Sequence, residues 1–237
     1  MKKAISILKS KHPVCGISAT AISCVLMLQA AFPKTANASE PEVPVDGLAS
    51  VISFNSADES SSALILNSDV ALLARILLVT YHGAKWSEQP VDNAIQFNAR
   101  RLGVTIRLLA HVATQVGEKV DATRRNRWMT HFSKMAGGAN EVKKILQQSG
   151  TSQTDLEYWF SNMQLCRIQL QYMIDKIQMP DEAELQKLFR LGNHPLAGAN
   201  WKEARPAFEK IVRNKKIQRV LTDWLSQFES QGNIRFP

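Results

Sequence analysis

Residues 152–180 read SQTDLEYWFSNMQLCRIQLQYMIDKIQMP, and this stretch decides the fold class. Ser152 is a good N-cap, and Met179-Pro180 supplies a stop because the residue before a proline is pushed out of the α region, so the reading is one helix to about Gln178. At about 100° per residue, Leu156, Trp159, Phe160, Met163, Cys166, Leu170, Met173, Ile174 and Ile177 fall on one face. Tyr158, Leu165, Ile168 and Tyr172 fall on the opposite one. A helix that is apolar on two sides is sandwiched inside a bundle or leaves one side open for a partner.

Working outward, the flanking sequence is also helical. Ser68-Asp69 can cap a helix carrying Leu72, Leu73, Ile76, Leu77 and Val79, ending near His82-Gly83. Pro90 suits a first turn, and Ile95, Leu102, Ile106, Leu109, Val112 and Val116 form a long stripe ending at Gly117. Asp121 opens a third helix with Trp128, Met129, Phe132 and Met135, stopped by Gly137-Gly138, and a short fourth runs from Ala139 to Gln148. Asp181 begins another short helix with Leu185, Leu188 and Phe189. A loop with His194-Pro195 leads to a last helix from Trp201 to near Gly232, with Pro206 in its first turns.

Only the ends depart from this pattern. Leu48 to Phe54 and Ala63 to Leu66 read as strands, separated by Asn55 to Ser62, which is polar enough to be a turn or loop. A lone hairpin is marginal in water, so it must lie on the helices or recruit Asn233 to Phe236 as a third strand. The expected fold is mainly α: a multi-helix module with a small β-hairpin near the N-terminus, joined by a C-terminal strand. The hairpin takes residues 46–67, the helical body 68–192, and the closing helix and strand 200–237.

Residues 1–38 form a separate unit. They hold Lys2, Lys3, Lys9, Lys11 and Lys34 and no acidic side chain, with an apolar and small-residue run from Val14 to Phe32. That is the pattern of a cleavable signal peptide, with Ala36-Asn37-Ala38 as the small residues before the cut and Ser39 as the new first residue. An uncleaved anchor is the competing reading, since the run approaches a membrane span. The expected location is periplasmic, with residues 39–237 as one domain.

The formal charge of +8 shrinks on this reading, because 24 basic against 21 acidic residues remain after the cut. A nucleic-acid partner therefore has no electrostatic footing. Hydrophobic residues at 45 % and charged residues at 21 %, with 11 Gly and 9 Pro, exclude collagen, low complexity and wholesale disorder. Only Cys166 remains after the cut, which leaves no internal disulfide and predicts a buried thiol.

Catalytic patterns are missing. The sequence holds no G-x-x-x-x-G-K-[ST], no G-x-G-x-x-G and no G-x-S-x-G, so a nucleotide partner or a hydrolase elbow lacks support. His82, His111, His131 and His194 lack metal-ligand spacing, and no metal or other cofactor is expected. Asp181, Glu182 and Glu184 stand where helix first turns favour negative charge. Arg124, Arg125 and Arg127, and Arg213, Lys215, Lys216 and Arg219, read as solvated faces able to touch acidic lipids or an unfolded chain.

Four short motifs carry a family resemblance. They are Leu64-Ile65-Leu66-Asn67-Ser68-Asp69-Val70, Ile106-Arg107-Leu108-Leu109 through Gly117, Leu146 to Ser152 with Asp155-Leu156, and Met179-Pro180-Asp181-Glu182-Ala183-Glu184-Leu185. In this order, with Trp201 to Phe236 as a closing helix and strand, the chain resembles the N-terminal chaperone module of SurA-type periplasmic foldases over nearly all of residues 46–237. The parvulin-type isomerase domain of that family has no room between Leu191 and Trp201. A long loop at Asn55–Ser62 and an interrupting Gly103 depart from the pattern.

The resemblance implies an ATP-independent chaperone, not an enzyme, that holds unfolded envelope or outer-membrane polypeptides in an apolar groove. Homodimerisation by exchange of the terminal helix is compatible with it. Such a groove needs aromatic, Met and aliphatic side chains that repack around many sequences. The candidates are Trp128, Met129, Phe132 and Met135 on the third helix, with Tyr158, Leu165, Ile168 and Tyr172 on the fifth. Two other readings compete: a non-catalytic binding or structural subunit of an envelope complex, and a residual isomerase.

Overall fold

Alternation in the second strand fixes how the small sheet meets the helices. The computed structural model describes residues 47–55, 60–231 and 233–235. The expected signal segment and its cleavage point, and Phe236 at the end of the expected last strand, lie outside the described residues. Strands β1 (Leu48–Asn55) and β2 (Ser60–Leu66) pair antiparallel, with Val51 opposite Leu64 and Ile52 opposite Ala63. Ile52, Ala63 and Ile65 are buried whereas Leu64 is exposed, as a one-sided ribbon requires. A short β3 (Ile234–Arg235) adds on the other side of β1, giving the order β2-β1-β3, and Ser53 donates its backbone N–H to Asn233 O at 2.7 Å.

The ribbon is longer than expected. Asn55 pairs with Ser60, Phe54 with Ser61 and Ser53 with Ser62, so these polar positions belong to the ladder and not to a loop. Ladder bonds are made by the backbone, and polar side chains do not prevent them.

Seven α-helices make up most of the described chain. Helix α1 (Asn67–His82) buries Val70, Leu72 to Ala74 and Ile76 to Val79, which makes it the central helix. Asp69 is more than a cap: one carboxylate oxygen accepts from Leu66 N at 2.9 Å and the other accepts from Trp159 Nε1 at 2.8 Å. After a 3₁₀ turn (Gly83–Glu88) that buries Trp86, Asp92 caps α2 (Asn93–Gln115).

Gly103 does not interrupt α2. It lets α1 and a neighbouring tryptophan approach, since a Cβ there would lie 2.9 Å from Leu73 Cδ1 and 3.5 Å from Trp159 Cη2. Helix α3 (Ala122–Ala136) turns into α4 (Ala139–Ser149) through Gly137 and Gly138, both at positive φ, a conformation that other residues rarely adopt.

Ser152 caps α5 (Gln153–Asp175) by accepting from Asp155 N at 3.2 Å, while Asp155 accepts from Ser152 N at 2.7 Å. The helix stops three residues short of Gln178, whose freed carbonyl accepts from Lys216 Nζ at 2.9 Å. Helices α6 (Glu182–Arg190) and α7 (Trp201–Ser230) follow.

The main core joins the ribbon, α1, α2 and α5, with α3 and α4 packed against them. Trp159 is its large central side chain, and Cys166 is buried there. Helix α7 spans two clusters. Its C-terminal half contributes Ile217, Leu221 and Leu225 to the main core, whereas Phe208 and Val212 pack with Leu185 in a satellite cluster under α6. Among the described residues no helix is long and apolar enough to cross a membrane.

Candidate functional site

The eight residues proposed from the sequence do not form one surface. Trp128 and Phe132 are 6 % and 5 % exposed, and Phe132 packs on Phe160 with ring centroids 5.5 Å apart. Met129 and Met135 are half-buried against the same core. The apolar face of α3 is therefore turned inward, where burial against α5 and α1 removes more area from water than any open groove would.

The two flanks of α5 have different fates. Leu165 is 8 % exposed and is sealed by Ala110 and Ala113 of α2, small residues that let the helices approach. Gln164, buried beside it, can donate to Asp121 O at 3.2 Å and accept from Asp121 N at 3.0 Å once its amide is oriented accordingly. Ile168 is half-buried, whereas Tyr158 and Tyr172 are 43 % and 55 % exposed. Each ring carries a cation: Arg107 Cζ stands 5.1 Å from the Tyr158 centroid and Lys176 Nζ 4.0 Å from that of Tyr172. Burial pushes the Tyr158 hydroxyl pKa up, and Arg107 opposes this.

A concave apolar surface is found elsewhere, between α6 and α7. Asp181 caps α6 by accepting from Glu184 N at 2.8 Å, and Asn200 caps α7 by accepting from Lys202 N at 2.9 Å. These starts set Leu185 and Leu188 of α6 against Phe208 and Val212 of α7.

The connecting loop is held by His194. Its Nε2 donates to Phe189 O at 2.8 Å, and its Nδ1 accepts from Leu196 N at 3.2 Å. A backbone N–H can only donate and a carbonyl can only accept, so the two ring nitrogens take opposite roles, Nδ1 as acceptor and Nε2 as donor. The same ring stacks on Phe189 at 4.7 Å and leans on Phe208 at 4.6 Å, and Trp201 closes the aromatic cluster 5.0 Å from Phe189.

The resulting groove has a volume of about 590 Å³. Leu188, Phe208, Ile211 and Val212 form its apolar lining, and Leu191, 62 % exposed, also lines it. Lys215, Lys216 and Arg219 line it from α7, and Glu184 from α6. A smaller depression of about 260 Å³ lies where the end of α5, with Ile174 and Ile177, faces Arg213.

The lining carries no paired nucleophile and base. His194 spends both ring nitrogens on backbone groups, and the described residues hold no cluster of three His, Cys, Asp or Glu suited to a metal ion. The outer wall is tied by ion pairs, with Glu182 accepting from Arg205 Nε at 2.8 Å, which holds the Glu182 carboxyl below its ordinary pKa.

Sequence reasoning placed Phe208, Ile211 and Val212 only on the closing helix and read Lys215, Lys216 and Arg219 as a solvated face. The signal that joins them is spacing: 208, 211–212, 215–216 and 219 form one stripe of α7 that passes from apolar to basic. Compared with protein-family models, with curated proteins and with solved structures, the chain matches none.

Proposed function

We propose that the protein is a non-catalytic, ATP-independent chaperone of the cell envelope that holds unfolded polypeptides in the α6–α7 groove. The observation that carries this reading is the groove itself: partly exposed Leu188 and Ile211 over buried Phe208 and Val212, bordered by exposed Leu191. A concave site with an apolar floor and placed polar groups is a usual form of a binding site, and here Glu184, Asn193, His194, Lys215, Lys216 and Arg219 supply the polar part of the lining.

Affinity from such a surface is modest. Desolvating on the order of 100 Å² of apolar lining and a similar area of ligand is worth about 5 kcal/mol at ~25 cal/mol per Å². That is already short of the about 8 kcal/mol that micromolar binding needs, and association and ordering costs weaken it further. Weak, area-driven contact suits clients of varied sequence that must be released again.

Client aggregation, followed by light scattering with increasing amounts of the protein, tests the proposal. The wild-type chain should suppress scattering, and Ile211→Asp and Leu191→Asp should lose most of that suppression while keeping their helical circular dichroism. Tyr172→Asp, on the far flank of α5, should act as wild type if the groove alone holds clients. Full suppression by both groove variants refutes the assignment of the groove. One stoichiometric co-purifying partner in place of a mixed set of unfolded chains would favour a dedicated subunit of an envelope complex.

A further inference from the structure

We propose that the α6–α7 groove selects polypeptide segments in which an apolar cluster lies next to carboxylates, so that acidic amphipathic stretches are its preferred occupants. This rests on the polypeptide-binding reading above and goes beyond it by naming the class of client. The argument starts from the polarity of the groove along α7. Ile211 and Val212 belong to the floor, and Lys215 and Arg219 follow one and two turns later on the same stripe. At a rise of about 1.5 Å per residue the centres of the apolar and basic ends are about 10 Å apart. An extended chain covers that distance in about three residues. The complementary ligand is an apolar cluster with acidic residues about that far along.

The cations at the basic end are available to a ligand. Arg205 and Arg213 of α7 are already compensated, the first by Glu182 and Glu209 and the second by Glu209. Lys215 and Arg219 are exposed and form no ion pair among the described residues. Lys216 fixes α7 against the α5–α6 connection through Gln178 O and adds its charge to the same end. Glu184 is the one carboxylate among the lining residues, so the groove keeps a positive balance. Rim charges of this kind choose among partners more than they add affinity. A membrane surface would need the apolar side chains and cations on one outward face. Here the apolar side chains line a trough between two helices.

The test is fluorescence anisotropy of the full chain with short labelled probes that share one apolar half, followed by glutamates, by glutamines or by lysines. The glutamate probe should bind about tenfold more tightly than the glutamine probe at low salt, as two or three exposed ion pairs allow. The preference should shrink as salt rises. The double variant Lys215→Glu/Arg219→Glu should abolish or invert the preference of the glutamate over the glutamine probe. The milder Lys215→Gln/Arg219→Gln should flatten it.

Equal affinity for the glutamate and glutamine probes, or a preference that survives both double variants, overturns the inference. Binding to phosphatidylglycerol vesicles without discrimination among the peptides also overturns it and assigns the cations to a membrane surface. If clients are held without charge preference, this inference alone falls. If no probe binds and no client is held, the polypeptide-binding reading falls with it.

Discussion

Asp69 offers the sharpest test of how this fold is held, because one carboxylate joins three elements. It accepts from Leu66 N where β2 turns into α1, and from Trp159 Nε1 in the N-terminal part of α5. Replacing Asp69 with Ala removes both acceptors. Trp159 is 1 % exposed, so its indole N–H would be left without a partner in a place water does not reach. A hydrogen bond to a charged group is worth about 1.5–3 kcal/mol, and an orphaned buried donor costs about 1–3 kcal/mol. The two losses together come to about 3–5 kcal/mol. That is a large share of the ~5–15 kcal/mol that stabilises an ordinary domain.

Urea denaturation followed by circular dichroism measures this directly, and Trp159→Phe completes a double-mutant cycle. The phenylalanine removes the donor together with part of the buried ring, and the cycle cancels that packing loss, so the coupling isolates the long-range bond. Coupling between the two sites should be about 1.5–3 kcal/mol. A loss below about 1 kcal/mol for Asp69→Ala, or additive effects of the two changes, would refute the view that this carboxylate links the sheet to α5.

Further expectations follow from local geometry. Gly103→Ala should be close to neutral, because a gain of about 1 kcal/mol in helix propensity offsets the contact with Leu73 Cδ1, whereas Gly103→Val should lose about 2–3 kcal/mol in thermal or urea unfolding. Ser152→Ala removes the acceptor for Asp155 N and should cost about 1 kcal/mol in the same unfolding assay.

His111, stacked on Phe54 at 3.8 Å, is held below its ordinary pKa by burial and then by Arg107. The unfolded chain therefore binds this proton first. Stability should be complete above about pH 6.5 and should fall as pH drops towards the lowered folded value. His111→Gln should flatten that slope in unfolding curves measured across the range.

Much of the helical architecture is legible in local chemistry. Ser152, Asp121 and Asp181 each begin a helix one residue after themselves, and Gly137-Gly138 ends one, because caps and left-handed glycines act within a single turn. What lies far apart in sequence is not legible in this way. Nothing near Asp69 announces Trp159, and nothing near Gly103 announces that its missing side chain admits Leu73.

The amphipathic face of α3 illustrates the same limit. Its periodicity is equally suited to a core or to a partner, and only the position of α5 decides for the core. The groove was hidden for the opposite reason: its apolar and basic halves lie on one helix but satisfy two different rules when read separately. The resemblance to a chaperone module rests on short motifs, and the groove on which the proposed function rests lies outside the eight residues that the sequence singles out.

Helix α7 is continuous, yet its two halves are anchored with unequal strength. Phe208 and Val212 share their cluster with one other buried side chain, whereas Ile217, Leu221 and Leu225 join a core that runs through the whole body. Backbone amides near the first pair should thus trade their hydrogens with solvent through small openings of the α6 lobe, and those near the second set only when the entire body comes apart. A single rod would keep two clocks, and cargo seated on the lobe should slow the faster one first.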